Sequence, residues 1–203
     1  MFNIAFFVSG RGSNLKAVFE KVSKEKVKIC AVISDKKECG AVHFSVENKI
    51  PVLFVSSKND SGFLNYETLA RHLKIIPVDL IVLAGFLKKI PDSFVDEFKN
   101  RIINIHPALL PSFGGKGMYG MNVHRAVFDS SAKISGATVH FVDKIYDNGK
   151  IIAQRVVDIS DVREPEEIAE RVLKIEHQLL PFVVEKFADG KIVTSQNRIL
   201  IAE

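Results

Sequence analysis

The sequence of 203 residues lacks the features of membrane and secreted proteins. It has only two cysteines, Cys30 and Cys39, too few for a disulfide scaffold or a four-cysteine zinc site. No apolar stretch approaches the about 20 residues that a membrane-spanning helix needs. The apolar start, residues 1–9, lacks the basic segment of a signal peptide. We therefore expect a cytoplasmic protein with no membrane partner.

Other absences narrow the class of ligand. No basic run carries interleaved aromatic residues, so the net charge of +4 gives little support to a nucleic-acid partner, and we expect none. A positive pocket for a small anion explains that charge as well. The histidines show no ligand-like spacing with cysteines or acids, so we expect no metal site. The sequence leaves the oligomeric state open.

What is present, up to residue 106, is an alternation of short apolar runs and helical segments. The predicted strands are residues 3–9, 28–34, 52–55, 80–84 and 101–106, and the predicted helices are residues 13–24, 41–49, 61–74 and 91–98. The apolar runs do not alternate with polar residues, which is typical of strands covered by helices on both faces. We predict an α/β fold with a doubly wound, Rossmann-like, mostly parallel sheet in this half.

The second half follows a different pattern. A glycine-rich loop over residues 107–121 precedes a short helix over 123–130. Two strands, 134–142 and 150–157, flank Asp147-Asn148-Gly149, where Asn-Gly favours an antiparallel hairpin. A long helix over 166–187 follows, and Pro181 should kink or interrupt it. A surface ribbon is predicted for the last dozen residues.

The first candidate site is the segment Ser9–Asn14, SGRGSN, between a strand and a helix. Free backbone N–H groups and the helix dipole favour an anion there, and Ser13 and Asn14 are good helix N-caps. Leu15 occupies the third glycine position of the dinucleotide fingerprint, which argues against a dinucleotide despite Asp35 at the end of the second strand. We predict a phosphate monoester as the ligand.

The second candidate site centres on Asn104 and His106, which share one face of a strand. An amide can stabilise an oxyanion and an imidazole can move a proton, as acyl-type transfer requires. Asp147 could orient His106 and raise its pKa, although aspartate is also common in turns for its own hydrogen bonds. Glu176 is predicted as a boundary residue that reaches solvent, and His140 as either a core or a pocket histidine.

Taken together, these segments resemble the folate-dependent formyltransferase family and, within it, the glycinamide ribonucleotide transformylases. The resemblance rests on residues 9–14 (SGRGSN), 83–86 (LAGF), 104–111 (NIHPALLP), 139–142 (VHFV), Asp147-Asn148-Gly149 and Glu176-His177, and it extends from residue 3 to about 190. It implies a single formyltransferase domain over 1–203. Within that domain, residues 1–100 form a nucleotide- or phosphate-binding half, residues 101–190 a catalytic and folate-binding half, and residues 191–203 a tail.

The resemblance implies transfer of the formyl group of 10-formyltetrahydrofolate, a co-substrate, to the amino group of glycinamide ribonucleotide in de novo purine synthesis, without a metal. The products are formylglycinamide ribonucleotide and tetrahydrofolate. Asn104 and His106 would stabilise the tetrahedral oxygen, and Asp147 would keep His106 charged and in place. The implied ribonucleotide-binding residues are Gly12, Ser13, Asn14 and Glu176. The implied folate-binding residues are Leu87, Lys88, Lys89, Ile90, Asn104, Asp143, Lys144, Ile145 and Tyr146.

Several details and alternatives accompany this resemblance. Lys88 stands where an arginine is expected, residues 114–121 should form a mobile flap, and the Leu110–Pro111 bond should be cis. Within the family, the alternative is a hydrolase that releases formate from 10-formyltetrahydrofolate, which carries an extra N-terminal domain. A transfer-RNA formyltransferase would need a further C-terminal domain. Outside the family, two alternatives remain open: a dinucleotide oxidoreductase and a non-catalytic anion-binding protein.

Overall fold

The structure, a computed structural model, describes residues 1–58 and 60–202, and its backbone divides into two compact units, Met1–Ile103 and Asn104–Glu203. Asn59 and Glu203, the last residue of the predicted tail, lie outside the described residues. None of the helices in these two stretches combines the length and the apolarity that a transmembrane span requires.

The first unit alternates strands and helices in the predicted order. Its elements are β1 (Phe2–Val8), α1 (Ser13–Lys21), β2 (Val27–Ser34), α2 (Gly40–Glu47), β3 (Val52–Phe54), α3 (Tyr66–Ile75), β4 (Leu80–Leu83) and α4 (Asp92–Glu97). Parallel pairing gives the strand order β3-β2-β1-β4. The order reverses between β1 and β4, and in sheets of this kind ligands bind outside the carboxyl ends of strands at such a reversal. The predicted doubly wound, parallel sheet is confirmed.

Aromatic packing fixes the carboxyl ends of these strands. Phe7 of β1 contacts Phe94 of α4 edge-on at 5.8 Å between ring centroids, and Phe94 contacts Phe98 at 4.8 Å and Tyr66 at 5.5 Å. Each such pair contributes about 0.5–1.5 kcal/mol beyond the area that it buries. The loops that follow β1 and β4 therefore start from a tightly packed base.

The second unit is built on the hairpin and the long helix that the sequence predicts. After β5 (Ile102–His106), its elements are α5 (Met121–Asp129), β6 (Ile134–Phe141), β7 (Ile151–Asp158), α6 (Pro165–Ala188), β8 (Ile192–Ser195) and β9 (Arg198–Ile201). Strands β6 and β7 pair antiparallel, α6 packs against both, and β8 and β9 form the predicted ribbon as a separate two-stranded sheet.

Three local predictions are wrong. Gly12, with φ 74°, is the N-cap of α1 and no side chain caps this helix, so Ser13 and Asn14 lie inside its first turn. Helix α3 starts at Tyr66 instead of residue 61, because the Asn65 side chain accepts a hydrogen bond from the Thr68 N–H at 2.8 Å. Helix α6 continues through Pro181, so the predicted interruption is wrong, while the alternative of a kink at Pro181 stays a prediction.

Candidate active site

The first candidate site is the loop of residues 9–14, called here the anion loop, which connects β1 to α1 in the first unit. Its geometry requires glycine at Gly12, where a Cβ atom would lie 2.6 Å from the Ala41 Cβ and the backbone is left-handed. Because no side chain caps α1, its first-turn N–H groups are not covered by a cap. A helix start of this kind favours a phosphate or a carboxylate.

Hydrogen bonds tie the anion loop to the segment that follows β4. The Ser9 N–H donates to the Gly85 carbonyl at 3.2 Å, and the Leu87 N–H donates to the Ser9 Oγ at 3.0 Å. Two segments with predicted ligand contacts, residues 9–14 and 87–90, are thus joined within the first unit. This junction lies at the β1–β4 reversal of the strand order.

Within residues 87–90 the side chains differ in exposure. Leu87 is 50% exposed, whereas Ile90 is buried. Lys88 is exposed and has no partner among the described residues, while Lys89 pairs with Asp92 at 3.0 Å. Leu87 is therefore the apolar side chain of this segment that is open to a ligand.

The second candidate site, called here the catalytic cluster, consists of Asn104, His106, His140 and Asp147 in the second unit. Nδ1 of His106 lies 3.7 Å from Oδ2 of Asp147, and Nε2 of His140 lies 3.6 Å from Oδ1 of the same carboxylate. The Asn104 side chain is 3.1 Å from Nε2 of His140. Side chains separated by more than 30 residues in the sequence are thus brought together.

Hydrogen bonds define the tautomers of the two histidines in their neutral forms. Nε2 of His106 donates to the Phe113 carbonyl at 2.8 Å, since a carbonyl can only accept. Nδ1 of His140 donates to the Phe141 carbonyl at 2.8 Å, so its Nε2 accepts from the Asn104 amide. Nδ1 of His106 is therefore the nitrogen that can take up a proton, and it faces the carboxylate of Asp147.

Burial, rather than Asp147, dominates the pKa of His106. The side chain is 3% exposed, and its removal from water lowers the pKa below the usual value, with a smaller contribution from His140. Asp147 and the Phe113 carbonyl act in the opposite direction without outweighing burial. Asp147 therefore acts on His106 in the expected direction, but in the free protein burial has the larger effect and the net shift of the His106 pKa is downward.

Asp147 is ionised. Burial acts to raise its pKa, but His140, His106 and the Gly115 N–H, which donates to Oδ2 at 2.9 Å, together lower it below the usual value. The backbone of Asp147 is left-handed, with φ 54°, a conformation that aspartate and asparagine tolerate better than most residues. Gly149 next to it is needed for space, because a Cβ atom there would lie 1.8 Å from the Phe141 carbonyl oxygen.

His140 is the functional candidate whose role sequence reasoning left open. The pairing of β6 with β7 shifts register between Val139 and His140, and such a bulge can redirect a side chain next to an active site. Only the side-chain alternation of β6, which puts His140 on the same face as Thr138, pointed to it from the sequence. The structure places His140 in the catalytic cluster, where it is 2% exposed and its Nε2 lies 3.6 Å from Oδ1 of Asp147.

A second set of hydrogen bonds holds the loop that follows His106. The Thr138 hydroxyl donates to the Ala108 carbonyl at 2.6 Å and accepts from the Leu110 N–H at 3.1 Å. The Gln154 amide donates to both the Leu110 carbonyl and the Thr138 hydroxyl at 2.9 Å. The Leu110–Pro111 bond is cis, as predicted. This network fixes the chain between His106 and Phe113, whose carbonyl contacts the imidazole.

The loop between β6 and β7 contains the other predicted folate-binding residues. Asp143 accepts hydrogen bonds from the Ile145 N–H at 2.8 Å and from the Asn148 side chain at 3.3 Å, so its carboxylate shapes the loop. Lys144 is exposed, and Ile145 and Tyr146 are 65% and 46% exposed. Two adjacent apolar side chains are thus available to a flat ring system.

Two further ionisable residues of the second unit are buried. Glu176 on α6 is 8% exposed, so the expectation that it reaches solvent is wrong. His124 on α5 is 6% exposed, and burial lowers its pKa to about 4, with a further contribution from the charge of His106. No spacing pattern in the sequence pointed to His124. Among residues 1–58 and 60–202, no group of three or more His, Cys, Asp or Glu side chains could hold a metal ion.

The arrangement of the catalytic cluster suits transfer of an acyl-type group to a neutral nucleophile. An amide and an imidazole N–H can donate to a tetrahedral oxygen, and an adjacent carboxylate can stabilise the imidazolium that forms. This combination needs no covalent enzyme intermediate.

Comparison with known proteins gives one consistent result. The family described as Formyl transferase matches residues 2–184. The chain is 45% identical over 193 residues to a chloroplastic phosphoribosylglycinamide formyltransferase of Vigna unguiculata, covering 94% of this chain but only 62% of that protein. It is 32% identical to the phosphoribosylglycinamide formyltransferase of Haemophilus influenzae, with 97% and 92% of the two chains covered. A crystal structure of the phosphoribosylglycinamide formyltransferase of Anaplasma phagocytophilum matches with a TM-score of 0.89 and 32% identity over 100% of this chain and 95% of that chain.

Proposed function

The chain belongs to the formyl transferase family, and we propose that it transfers the formyl group of 10-formyltetrahydrofolate to the amino group of glycinamide ribonucleotide. The products are formylglycinamide ribonucleotide and tetrahydrofolate, in de novo purine synthesis. The observation that carries this proposal is the catalytic cluster, in which His106 and His140 flank the Asp147 carboxylate and Asn104 contacts His140. The names of the relatives support the choice of acceptor.

In the proposed reaction the amine nitrogen attacks the formyl carbon, and the C=O electrons move to the oxygen. The Nε2–H of His106, which now donates to the Phe113 carbonyl, and the Asn104 amide then donate to that oxygen. The negative oxygen favours the protonated imidazole, and Asp147 beside Nδ1 stabilises it. The attacking nitrogen loses a proton and N10 of the folate gains one as the C–N10 bond breaks, with His106 serving in this transfer.

We assign substrate contacts to the segments that the resemblance indicates. Gly12, Ser13 and Asn14 would bind the phosphate, supported by the left-handed Gly12 and the uncapped start of α1. For the folate, the support is the exposed apolar side chains of Leu87, Ile145 and Tyr146. The predicted folate-binding set also includes Lys88, Lys89, Ile90, Asn104, Asp143 and Lys144. Glu176 stays a predicted ribonucleotide contact.

Three further predictions accompany the proposed activity. We propose 10-formyltetrahydrofolate as the co-substrate, with no metal taking part, and small molecules rather than a nucleic acid as partners. We propose the cytoplasm as the compartment, supported by the two free cysteines, Cys30 and Cys39. The plant relative is named as chloroplastic, so fractionation of the source cells is the measurement that decides the compartment.

A coupled assay tests the proposed function. Purified protein is mixed with 10-formyltetrahydrofolate, with or without glycinamide ribonucleotide, and tetrahydrofolate release is followed. We expect release only when the ribonucleotide is present, and none with an Asn104→Ala variant as the background control. Release without the ribonucleotide would instead support the hydrolase of the same family. No release in either mixture, from folded protein, would contradict both activities.

A further inference from the structure

A cleft of about 650 Å³ in the first unit belongs to neither candidate site. It lies beside the amino ends of β1 and β2, where Met1 and Val27 are part of its lining. The anion loop, in contrast, follows the carboxyl end of β1. Small-molecule sites commonly have volumes of about 300–1,000 Å³, so the cleft has the size of a ligand-binding site.

The wall of the cleft is mostly apolar. Phe19 and Val22 come from the end of α1, Ile29 from β2, and Ile50 and Ile76 from the chain that follows α2 and α3. Cys30 also lines the cleft, but its thiol donates to the Ile4 carbonyl at 3.2 Å and burial raises its pKa. The wall therefore offers an apolar surface without a reactive thiolate.

The charges along this wall have one sign. Lys24, Lys28 and Lys49 contribute to the lining. Among the described residues, no acidic side chain lines the cleft and none forms an ion pair with these three lysines. Lys24 lies over the Phe19 ring at 4.6 Å. An acid that affects a lining residue is Asp79, whose charge contributes to raising the pKa of Cys30. Asp79 does not line the cleft, and its Oδ2 accepts a hydrogen bond from the Asn3 N–H at 2.7 Å.

Helix dipoles explain only part of this charge. Lys49 follows the C-terminus of α2, where the dipole favours a cation. Lys28 is on strand β2 and gains nothing comparable from a helix end. An apolar wall edged with unpaired cations fits a ligand with an apolar body and one negative group.

We propose that this cleft binds an amphipathic carboxylate, with its apolar body on the wall of Phe19, Ile29 and Ile50 and its carboxylate between Lys28 and Lys49. This site is separate from the formyl-transfer site, and the binding does not depend on the proposed activity.

Amide chemical shifts of the full ¹⁵N-labelled protein test the proposal, with octanoate as the probe. We expect saturable shifts of the Lys28, Ile29, Lys49 and Ile50 amides. Octylammonium, which has the same chain and the opposite charge, should bind about tenfold more weakly, because it meets like charges. Raising the salt concentration should weaken octanoate binding.

A double variant, Lys28→Gln with Lys49→Gly, removes both cations. Lys49 has φ 56°, a left-handed conformation that glycine adopts without strain, so this change should leave the fold intact. We expect an affinity for octanoate about tenfold lower, and no change for Lys99→Gln, which is exposed in the same unit and does not line the cleft. The proposal would be overturned if octanoate and octylammonium bound with equal affinity, or if the double variant bound octanoate as well as the original protein. It would also be overturned if the shifts were confined to other residues or did not saturate. If the double variant does not fold, the comparison of the two probes decides.

Discussion

The anion loop and the catalytic cluster illustrate two ways of building a polar site. The anion loop consists of six consecutive residues, and its proposed binding groups are backbone N–H groups at the start of α1, where the N-cap is the left-handed Gly12. The catalytic cluster joins side chains from β5, β6 and the loop before β7, and its two imidazoles are almost completely removed from water. Uncharged backbone groups can bind an anion without a shift in any pKa, whereas buried imidazoles and a carboxylate alter one another's ionisation.

The two regions differ in whether their surroundings shift the pKa values of their polar groups. In the catalytic cluster, burial lowers the pKa of His106, while the Gly115 N–H and the two histidines, when they are protonated, lower the pKa of Asp147. A base that is neutral beside an anion can take up a proton when negative charge develops on the substrate. The anion loop is proposed to contribute binding only, so we expect changes in the two regions to affect different kinetic constants.

The largest expected effect comes from removing the charge of the catalytic cluster. Asp147→Asn keeps the left-handed backbone that asparagine tolerates and an oxygen for the Gly115 N–H, but it cannot stabilise a charged His106. We expect kcat to fall by about 10³-fold, with ribonucleotide binding nearly unchanged. Steady-state kinetics and a binding titration measure the two quantities.

The matched control for that change is Asp129→Asn, which removes an exposed carboxylate of the same unit. It should leave kcat within about twofold of the original value. A near-normal kcat for Asp147→Asn would show that the carboxylate has no part in the chemistry.

A single added methyl group at Gly12 should destabilise the anion loop. Gly12→Ala places a Cβ atom 2.6 Å from that of Ala41 on a left-handed backbone. We expect the free energy of unfolding to fall by about 3 kcal/mol and the KM for the ribonucleotide to rise. Gly10→Ala is the control, since its Cβ would meet no atom within 4 Å. Equal denaturation midpoints for the two variants would refute the steric requirement at Gly12.

His140 tests whether the catalytic cluster acts as a unit. His140→Ala removes the acceptor that orients the Asn104 amide, and we expect kcat to fall by about 10²-fold, or about 2.7 kcal/mol in the barrier. His140→Gln retains an acceptor and should recover part of the rate. His43→Ala, on the exposed face of α2, should have no effect. Similar rates for the Ala and Gln variants would show that His140 does not act through a hydrogen bond.

The smallest expected effect is the pH dependence of stability from His124. Its pKa in the folded protein, about 4, lies below the unfolded value of about 6.5, so the unfolded state binds more protons between these values. Stability is therefore lost as the pH falls from 6.5 towards 4, by about 2 kcal/mol from this residue. Urea denaturation over this range should show a shallower pH dependence for His124→Gln than for the original protein. His43→Gln, at an exposed position, should keep the original slope.

The elements of the fold were predictable where the pattern is local and repeated. The apolar runs before residue 106 predicted the parallel strands, and the runs around Asp147-Asn148-Gly149 predicted the antiparallel pair. Helix starts were less predictable, because Gly12 and Asn65 compete with neighbouring Ser and Thr as caps and only the backbone conformation decides between them.

The candidate site was predictable in its residue types and only partly in its contacts. Asn104 and His106 share a face because a strand has a period of two. The contact between Asp147 and His106 depends on where the fold places β6 and the loop that follows it, which the sequence does not show. The position of His140 depends on a register shift in β6 that has no clear sequence signal. Glu176 was predicted to reach solvent but is buried, because the periodicity of a helix cannot show how deeply the neighbouring layer covers each of its faces.

The sequence by itself determined the order of strands and helices, the anion loop and the identity of the chemical groups, because each depends on residues close together in the chain. The tertiary structure decided which of these groups meet and which of them are charged. Ionisation depends on burial and on charges contributed by distant segments, so the lowered pKa values of His106, Asp147 and His124 exist only in the folded protein.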